Sequence, residues 1–190
     1  MANTSKPSGF HPVRYLSGAP YNAAMNQYVV PSSDNTALFL GDAVKLAGTG
    51  STDGKYQGVI KASSGDVVVG VVVSMIPNRD DLTLKYRKAS TERTVFVADN
   101  LSQVLFAVQA NAAVVTGDLG LNVNWADAGG DTTTGHSGIQ ADISTKATTN
   151  TLDLKLISLV NVEDNTISDT YPEVLVMFNN QQYANQIAGA

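Results

Sequence analysis

The chain contains two histidines and no cysteine, so few of its side chains are suited to nucleophilic catalysis or to binding a transition metal. His11 lies in a proline-flanked segment, and His136 lies in the sequence TGHSG. A histidine next to a serine suggests a nucleophile with its base, but the motif G-x-S-x-G requires glycine where Ile139 stands. We therefore expect a solvent-exposed loop histidine at position 136 and no catalytic residue.

Other segments match ligand-binding motifs only in part. GTGSTDGKY (48–56) lacks the glycine and the hydroxyl residue that a phosphate-binding loop requires at Thr49 and Tyr56, so it predicts a hairpin loop. Two groups of acids lack the spacing of a calcium-binding loop and are expected to be hydrated turn residues. These groups are Asp127 with Asp131, and Glu163 with Asp164 and Asp169. The sequence predicts no cofactor, no metal site and no enzymatic activity.

The composition is that of a globular chain with few charges. Hydrophobic residues make up 43% of the 190 residues and charged residues 15%, compared with about 25% charged residues in an average soluble domain. The formal charge of −5 is uneven, because residues 1–33 carry +2 and the remainder carries −7. Nucleic-acid binding requires a clustered basic surface, so we do not expect it. We also expect no membrane partner, because no apolar stretch reaches the ~20 residues of a membrane helix. We expect no export by a secretory signal, because the first residues lack an apolar segment.

Residue periodicity predicts mainly β-strands. The run GDVVVGVVVSMIP (65–77) is rich in β-branched residues and does not alternate, which is typical of a strand buried on both faces. Gly70 within that run indicates a bulge or a close approach of another backbone. Further strands are predicted for YQGVIKA (56–62), RTVFVA (93–98), QVLFAVQ (103–109), TLDLKL (151–156) and EVLVMFN (173–179). The predicted fold class is all-β, barrel-like or a two-sheet β-domain, with little helix.

Three Gly-Asp pairs recur between apolar residues. They lie in LFLGDAVKL (38–46), SSGDVVVGV (63–71) and VVTGDLGLNV (114–123). Each predicts a tight turn or bulge in which glycine adopts a positive φ and aspartate binds nearby amides. The first and third are most alike, which suggests equivalent elements of a duplicated sheet.

Residues 21–28 predict a turn or two of helix, and residues 126–150 predict long loops around a short strand.

The ends of the chain differ from its middle. Residues 1–31 hold four of the six prolines and four of the thirteen aromatic residues, without strong periodicity. Disordered segments are poor in aromatic residues, so we predict an extended N-terminal arm that lays its rings on its own body or on a neighbouring chain. The β-rich domain then spans 32–178, and a polar C-terminal tail spans 179–190. The residues predicted to bind a partner are Phe10, Arg14, Tyr15, Tyr21 and Tyr28.

Much of the chain resembles the head decoration (capsid cement) proteins of tailed phages. The resemblance lies in the order and spacing of strands and turns. The segments that carry it are GVIKASSGDVVVGVVVSMI (58–76), TVFVADNLSQVLFAVQAN (94–111), TGDLGLNVN (116–124), TTTGHSGIQADIS (132–144) and the ending from TLDLKL to NNQQY (151–183). No active-site residue is implied, because the family has no active site.

This resemblance implies a structural virion protein, made in the host cytoplasm, that binds the outer surface of the capsid. It would form a symmetric homo-oligomer, usually a trimer, and bridge adjacent subunits of the major capsid protein. The absence of cysteine fits assembly in a reducing cytosol. Two alternatives stay open: another virion structural protein, such as a tail or baseplate adaptor or a head fibre, and a carbohydrate-binding β-sandwich that uses Trp125 and residues 126–138.

Overall fold

The computed structural model describes residues 3–183, and within them the chain forms eleven β-strands and one short 3₁₀ turn, Thr116–Asp118. The strands are β1 (His11–Tyr15), β2 (Asn26–Val30), β3 (Ala43–Gly50), β4 (Gln57–Lys61), β5 (Gly70–Met75), β6 (Arg93–Ala98), β7 (Val104–Gln109), β8 (Asn122–Gly130), β9 (Ser137–Ala147), β10 (Leu154–Leu159) and β11 (Glu173–Phe178). The all-β prediction is confirmed. Nothing in the described part of the chain is a helix with the length and hydropathy that crossing a bilayer requires.

The strands form two bodies. Strands β2 to β6 close into a barrel in the order β2-β4-β3-β5-β6. The other six form a sheet in the order β1-β7-β11-β10-β8-β9. This sheet curls, because Ala110, just after β7, forms a bridge with Ala141 of β9. We call the two bodies the barrel and the curled sheet.

The valine run separates the apolar cores of these two bodies. Its side chains are divided between them: Val69 and Val72 pack in the barrel core, and Val68 and Val71 pack in the core of the curled sheet. The predicted strand buried on both faces is thereby confirmed. A Cβ on Gly70 would lie 2.5 Å from the carbonyl oxygen of Ala98. The predicted close approach of another backbone at Gly70 is therefore also confirmed.

The three Gly-Asp turns share one hydrogen-bonding pattern. In each turn, the aspartate N–H donates to the carbonyl of the residue three positions earlier, and the aspartate carboxylate accepts the N–H of that same residue. The turns are 39–42, 63–66 and 115–118. The prediction that aspartate binds nearby amides is confirmed. Gly41 and Gly65 have the predicted positive φ, at 88° and 92°, whereas Gly117 lies in the 3₁₀ turn without it.

Each of these aspartates also forms an ion pair with a lysine. The pairs are Asp42 with Lys61, Asp66 with Lys45, and Asp118 with Lys146. In every case the turn leads into a strand, and the lysine lies on a strand paired with that one: β4 beside β3, β3 beside β5, and β9 beside β8. The lysine therefore holds the turn against the neighbouring strand.

A fourth copy of the turn lies at 166–169, where Ser168 occupies the position of the glycine. The N–H of Asp169 donates to the Thr166 carbonyl at 3.2 Å, and the Asp169 carboxylate accepts the Thr166 N–H at 2.7 Å. Ser168 has a φ of 70°, a conformation that costs a residue with a Cβ about 1–2 kcal/mol. The sequence does not reveal this copy because serine replaces the glycine that marks the others.

Replacing Ser168 by glycine is expected to raise the free energy of unfolding by about 1 kcal/mol, because glycine adopts a positive φ without the Cβ contact. Urea unfolding followed by circular dichroism measures the change. Ser102→Gly, in an exposed turn without a positive φ, is the matched control and is expected to lower stability. A loss of stability in the Ser168→Gly variant would contradict the interpretation.

The structure corrects three predictions of local structure. The described part of the predicted arm, residues 3–31, is not a separate extended arm, because β1 belongs to the curled sheet and β2 to the barrel. Residues 21–25 contain no helix, and residues 26–28 belong to β2. Residues 126–150 are mostly the long strands β8 and β9 rather than loops. The core-facing residues of β9 are Ile139, Ala141 and Ile143, and the polar residues of its second half give a weak strand pattern.

The described part of the predicted C-terminal tail packs on the barrel. The Val68 N–H donates to the Asn180 carbonyl at 3.0 Å, and the Gln182 N–H donates to the Val68 carbonyl at 2.7 Å. The hydroxyl of Tyr183 donates to Gln57 at 2.7 Å. The rest of that predicted tail, residues 184–190, lies outside the described residues.

The barrel and the curled sheet meet at the turn 39–42. The Leu40 N–H donates to the Gly135 carbonyl at 2.9 Å, and the Ser137 N–H donates to the Leu40 carbonyl at 2.8 Å. A Cβ on Gly9 would lie 2.6 Å from the Gly41 carbonyl oxygen. The two bodies are thus in direct backbone contact, which leaves no room for side chains at these glycines.

A buried ion-pair network joins the two bodies at the same place. The Asp42 side chain is fully buried, and the Lys61 ammonium lies 3.1 Å from its carboxylate and 2.8 Å from that of Asp127 in β8. Burial raises the pKa of Asp42, and the opposing effects of Lys61 and of the Ser137 hydroxyl offset this only in part. The pKa of Lys61 is raised, because the two carboxylates outweigh the effect of its burial.

Lys61→Met is expected to lower the free energy of unfolding by about 3 kcal/mol or more, because it leaves the buried Asp42 carboxylate without its partner. Lys45→Met is the matched control, since it removes the lysine of an identical turn whose ion pair is partly exposed and which should contribute less than about 1 kcal/mol. Urea unfolding of both variants measures the difference. Equal losses in the free energy of unfolding of the two variants would contradict the interpretation that burial makes the Lys61 ion pair the stronger one.

Candidate interaction surface

Two of the five residues predicted to bind a partner are buried within the chain. The Phe10 ring packs in the core of the curled sheet, with its centroid 4.9 Å from that of Phe178. Tyr28 packs in the barrel core, and its hydroxyl donates to Asp99 at 2.8 Å. Neither ring is accessible to a neighbouring chain in this fold. The prediction that Phe10 and Tyr28 anchor an arm on a neighbour is corrected accordingly.

The other three predicted residues, Arg14, Tyr15 and Tyr21, are half-buried on β1 and on the connection that follows it, and the two tyrosines pack against the core of the curled sheet. The two tyrosine rings pack against each other with centroids 5.9 Å apart. The Tyr15 hydroxyl donates to Asn22 at 2.6 Å, and the Tyr21 hydroxyl donates to the carbonyl of Ala24. Their role in binding a partner stays a prediction.

Residues 16–25 connect β1 to β2, and we call this connection the uncharged loop. No residue from 15 to 33 is charged, and residues 16–20 and 22–24 are all exposed. Leu16 is 57% exposed. Such a loop can pack against a protein surface without removing any charged group from water, which is the costly step in burying a polar surface.

Other connections also expose large apolar side chains, and Val115 in the connection 110–121 is 45% exposed. Leu82, in the connection 76–92, is 78% exposed, and Val162, in the connection 160–172, is 54% exposed. The connection 76–92 is anchored by the buried guanidinium of Arg87. Its N–H groups donate to the backbone carbonyls of Pro31, Asp34, Thr36 and Thr91. Leu82 is therefore presented on a long connection whose base is fixed.

The two histidines lie side by side, although 125 positions separate them in the sequence. Their ring centroids are 6.1 Å apart, and His11 Nε2 forms a hydrogen bond with the Ser8 hydroxyl at 2.8 Å. Burial lowers the pKa of His11, and the nearby His136 lowers it further, whereas Glu173 raises it. Sequence reasoning missed this pair because nothing in the local sequence links residues so far apart.

A cleft of about 660 Å³ lies beside the histidines. It is bordered by Lys6, Ser8, Asp131, Thr134 and His136, among others. His136 is half-buried rather than exposed as expected, and its Nδ1 atom has no hydrogen-bond partner in the part of the chain that the structure describes. Ser137 is 1% exposed, and its hydroxyl accepts the Ile139 N–H, so it is not presented to a substrate.

The remaining candidate residues occupy structural positions. Residues 51–56 of GTGSTDGKY connect β3 to β4, as the predicted hairpin loop. Asp131 accepts backbone and side-chain hydrogen bonds within its own turn, as expected of a turn carboxylate. Asp127 instead forms the ion pair with Lys61, which corrects its assignment as a hydrated turn residue. Among residues 3–183, no three His, Asp or Glu side chains come together to hold a metal ion.

Trp125 is a core residue. It is 4% exposed, and its ring packs edge to face with Phe10 and Phe178 at centroid distances of 5.9 Å. A ring buried in this way cannot stack on a sugar. The structure therefore removes the residue on which the carbohydrate-binding alternative depended.

The pH dependence of stability is expected to include a contribution from His11. Its pKa is lowered in the folded state, so the folded protein binds this proton less well than the unfolded chain does. The contribution of His11 to stability is then fully present above about pH 6.5, the unfolded pKa, and is lost as the pH falls from there through the lower pKa of the folded state. His11→Gln is expected to reduce the loss of stability between pH 7.5 and pH 5.5, as measured by urea unfolding.

Proton NMR provides an independent measurement, because the chain has only two histidine ring signals. His136→Gln is expected to bring the pKa of His11 closer to its ordinary value, since one of the groups that lowers it is removed. A His11 signal that titrates at or above pH 6.5 in the unmodified protein would contradict the interpretation of the pair.

Comparison with known proteins yields no relative: searches of protein-family models, of curated proteins and of solved structures each return no match to this chain. Function is therefore inferred from the residues and surfaces of the chain itself.

Proposed function

We propose that this chain is a structural virion protein that binds the outer surface of a bacteriophage capsid and cements adjacent subunits of the major capsid protein. It acts as a symmetric homo-oligomer, with a trimer as the expected state. The observation that carries the proposal is the exposure of Leu16, Leu82 and Val162 on three separate connections. A protein that bridges several subunits requires several contact surfaces rather than one pocket.

The locked junction between the barrel and the curled sheet supports this role. Binding two partners at once is efficient when the contact surfaces are held at fixed positions, because little conformational entropy is then lost on association. In this chain the turn 39–42 and the Lys61 ion pairs fix the barrel on the curled sheet. The connections that expose apolar side chains are thereby held on one rigid body.

The strength of cementing follows from multivalency. If each protomer removes several hundred Å² of apolar surface from water, the gross gain is roughly 10 kcal/mol at ~25 cal/mol per Å². Much of that gain is offset by the loss of translational and rotational freedom. In a closed oligomer the later contacts are intramolecular, with effective concentrations on the order of millimolar. Individually weak contacts then hold adjacent capsid subunits together.

The edges of the curled sheet favour contact through loops and faces rather than through strand addition. β9 is an edge strand, and its pairing with β8 is interrupted by two irregularities, between Asn122 and Asn124 and between Asp127 and Gly130. The other edge, β1, is partly covered because the chain folds back to form a bridge between Arg14 and Pro20. Bulged or covered edges resist pairing with another chain.

Co-sedimentation with DNA-free capsids of the cognate phage tests the proposal. The protein is expected to bind until it saturates at a fixed ratio per capsomer. Leu82→Ser is expected to weaken this binding about 10-fold or more, because truncating an apolar contact at the centre of an interface costs more than about 1 kcal/mol. Lys55→Ser, at an exposed loop without large apolar residues, is the control and should bind normally.

Failure to saturate on intact capsids would contradict the proposal. Binding to isolated tails or baseplates instead would favour the alternative of a tail or baseplate adaptor. Both experiments use the same purified protein, so one preparation distinguishes the two virion roles.

A further inference from the structure

We propose that the uncharged loop, residues 16–25, is the surface through which copies of this chain meet around their rotation axis. The partner at this surface is a second copy of the same chain. The inference rests on the proposed function only in assuming that copies associate, and it does not require contact with a capsid.

The absence of charge in the loop argues for a contact between identical copies. At a rotation axis each residue lies close to the same residue of another copy, so any charged side chain there faces a like charge. Opposed like charges at an interface cost several kcal/mol. The stretch from Tyr15 to Ser33 has no charged residue, and Arg14 and Asp34 flank it. A partner with a different sequence would impose no such requirement.

The connections that carry Leu82 and Val162 lack this property. The connection 76–92 contains acids and bases, among them Arg79, Asp80, Asp81 and Lys85. The connection 160–172 contains three acids, Glu163, Asp164 and Asp169, and no base. Around a rotation axis the second of these would bring carboxylates of neighbouring copies together. Both are better suited to a partner whose charges complement theirs than to a copy of themselves.

The uncharged loop is also held in one conformation before any contact forms. The Tyr15 N–H donates to the Ala19 carbonyl at 2.8 Å, and the Tyr21 N–H donates to the Val13 carbonyl at 3.0 Å. The Leu16 N–H donates to the Gln103 carbonyl at 2.7 Å, which ties the loop to the start of β7. Prior ordering reduces the entropy lost on association.

Small residues allow a close approach at the loop. Its exposed positions include Ser17, Gly18, Ala19, Ala23 and Ala24. Leu16 is the large apolar side chain among them, so it is the residue whose replacement tests the contact most directly. Ala23 has a φ of 60° although it is not glycine, and such backbone strain is found preferentially at functional sites.

The test uses two variants of opposite charge at one position. Leu16→Asp and Leu16→Lys each place like charges together at the axis, so each variant alone is expected to weaken self-association at least about 100-fold. An equimolar mixture of the two variants is expected to recover part of the self-association as oligomers that contain both, because opposite charges then meet at two of the three contacts of a mixed trimer. Sedimentation equilibrium gives the masses, and native mass spectrometry identifies the mixed species.

Val162→Asp and Val162→Lys are the matched controls, because Val162 is 54% exposed and Leu16 57% exposed. Both control variants are expected to keep the oligomeric mass of the unmodified protein. Thermal unfolding by circular dichroism confirms that all four variants are folded. Leu16→Ser, which adds no charge, is expected to weaken self-association by a smaller factor of about 10.

Three results would overturn the inference: an unmodified protein that is monomeric at all concentrations, Leu16 variants that keep the oligomeric mass, or Val162 variants that dissociate equally. Leu16 variants that stay oligomeric but no longer bind capsids would assign the loop to the capsid protein instead. Capsid binding by the unmodified protein is measured separately, so an oligomeric protein that binds capsids but keeps its mass in the Leu16 variants contradicts the inference and leaves the proposed function standing.

Discussion

The burial of the Asp42 carboxylate between the barrel and the curled sheet is the constraint on which the rest of the fold depends. A buried carboxylate is costly unless a cation lies next to it, and the cation here is the single ammonium of Lys61, which also contacts Asp127. That ammonium must lie between β4 of the barrel and β8 of the curled sheet. These ion pairs and the backbone hydrogen bonds of Leu40 hold the two bodies together, and the glycines at 9 and 41 allow the backbones to approach closely.

Most of the strands were predictable because their burial is reflected in local residue types. RTVFVA coincides with β6 from Arg93 to Ala98. The valine run has apolar residues on both faces because each face packs in a different core. The short strand predicted within 126–150 was underestimated, because only Ile139, Ala141 and Ile143 of β9 face the core and the second half of the strand carries polar residues. The aromatic residues of 1–31 do pack on a protein surface, but the assignment of Phe10 and Tyr28 to a partner is wrong. Sequence alone does not distinguish a ring in the chain's own core from a ring that contacts a neighbouring chain.

The candidate surface was also predictable in part, because its lack of charge is a property of the local sequence. The lack of charge between Tyr15 and Ser33 is visible in the sequence, and it became informative only when the structure placed residues 16–25 on the outside. The sequence does not predict the pairing of His11 with His136, because that contact depends on the fold. It does not predict the fourth aspartate turn either, because Ser168 replaces the glycine that marks the other turns. Patterns that depend on local backbone geometry can be inferred from sequence; contacts across the fold cannot.

The distribution of charge connects the interior of the molecule with its proposed assembly. A chain with a net charge of −5 repels its own copies at long range. Screening at physiological salt confines this repulsion to about 8 Å, so the groups that come closest decide whether two copies can touch. Several acids are withdrawn from the surface into turns and ion pairs with lysines, as at Asp42 and Asp118. With the uncharged loop exposed and no charge on it to oppose contact, an acidic protein retains one face on which identical copies can approach.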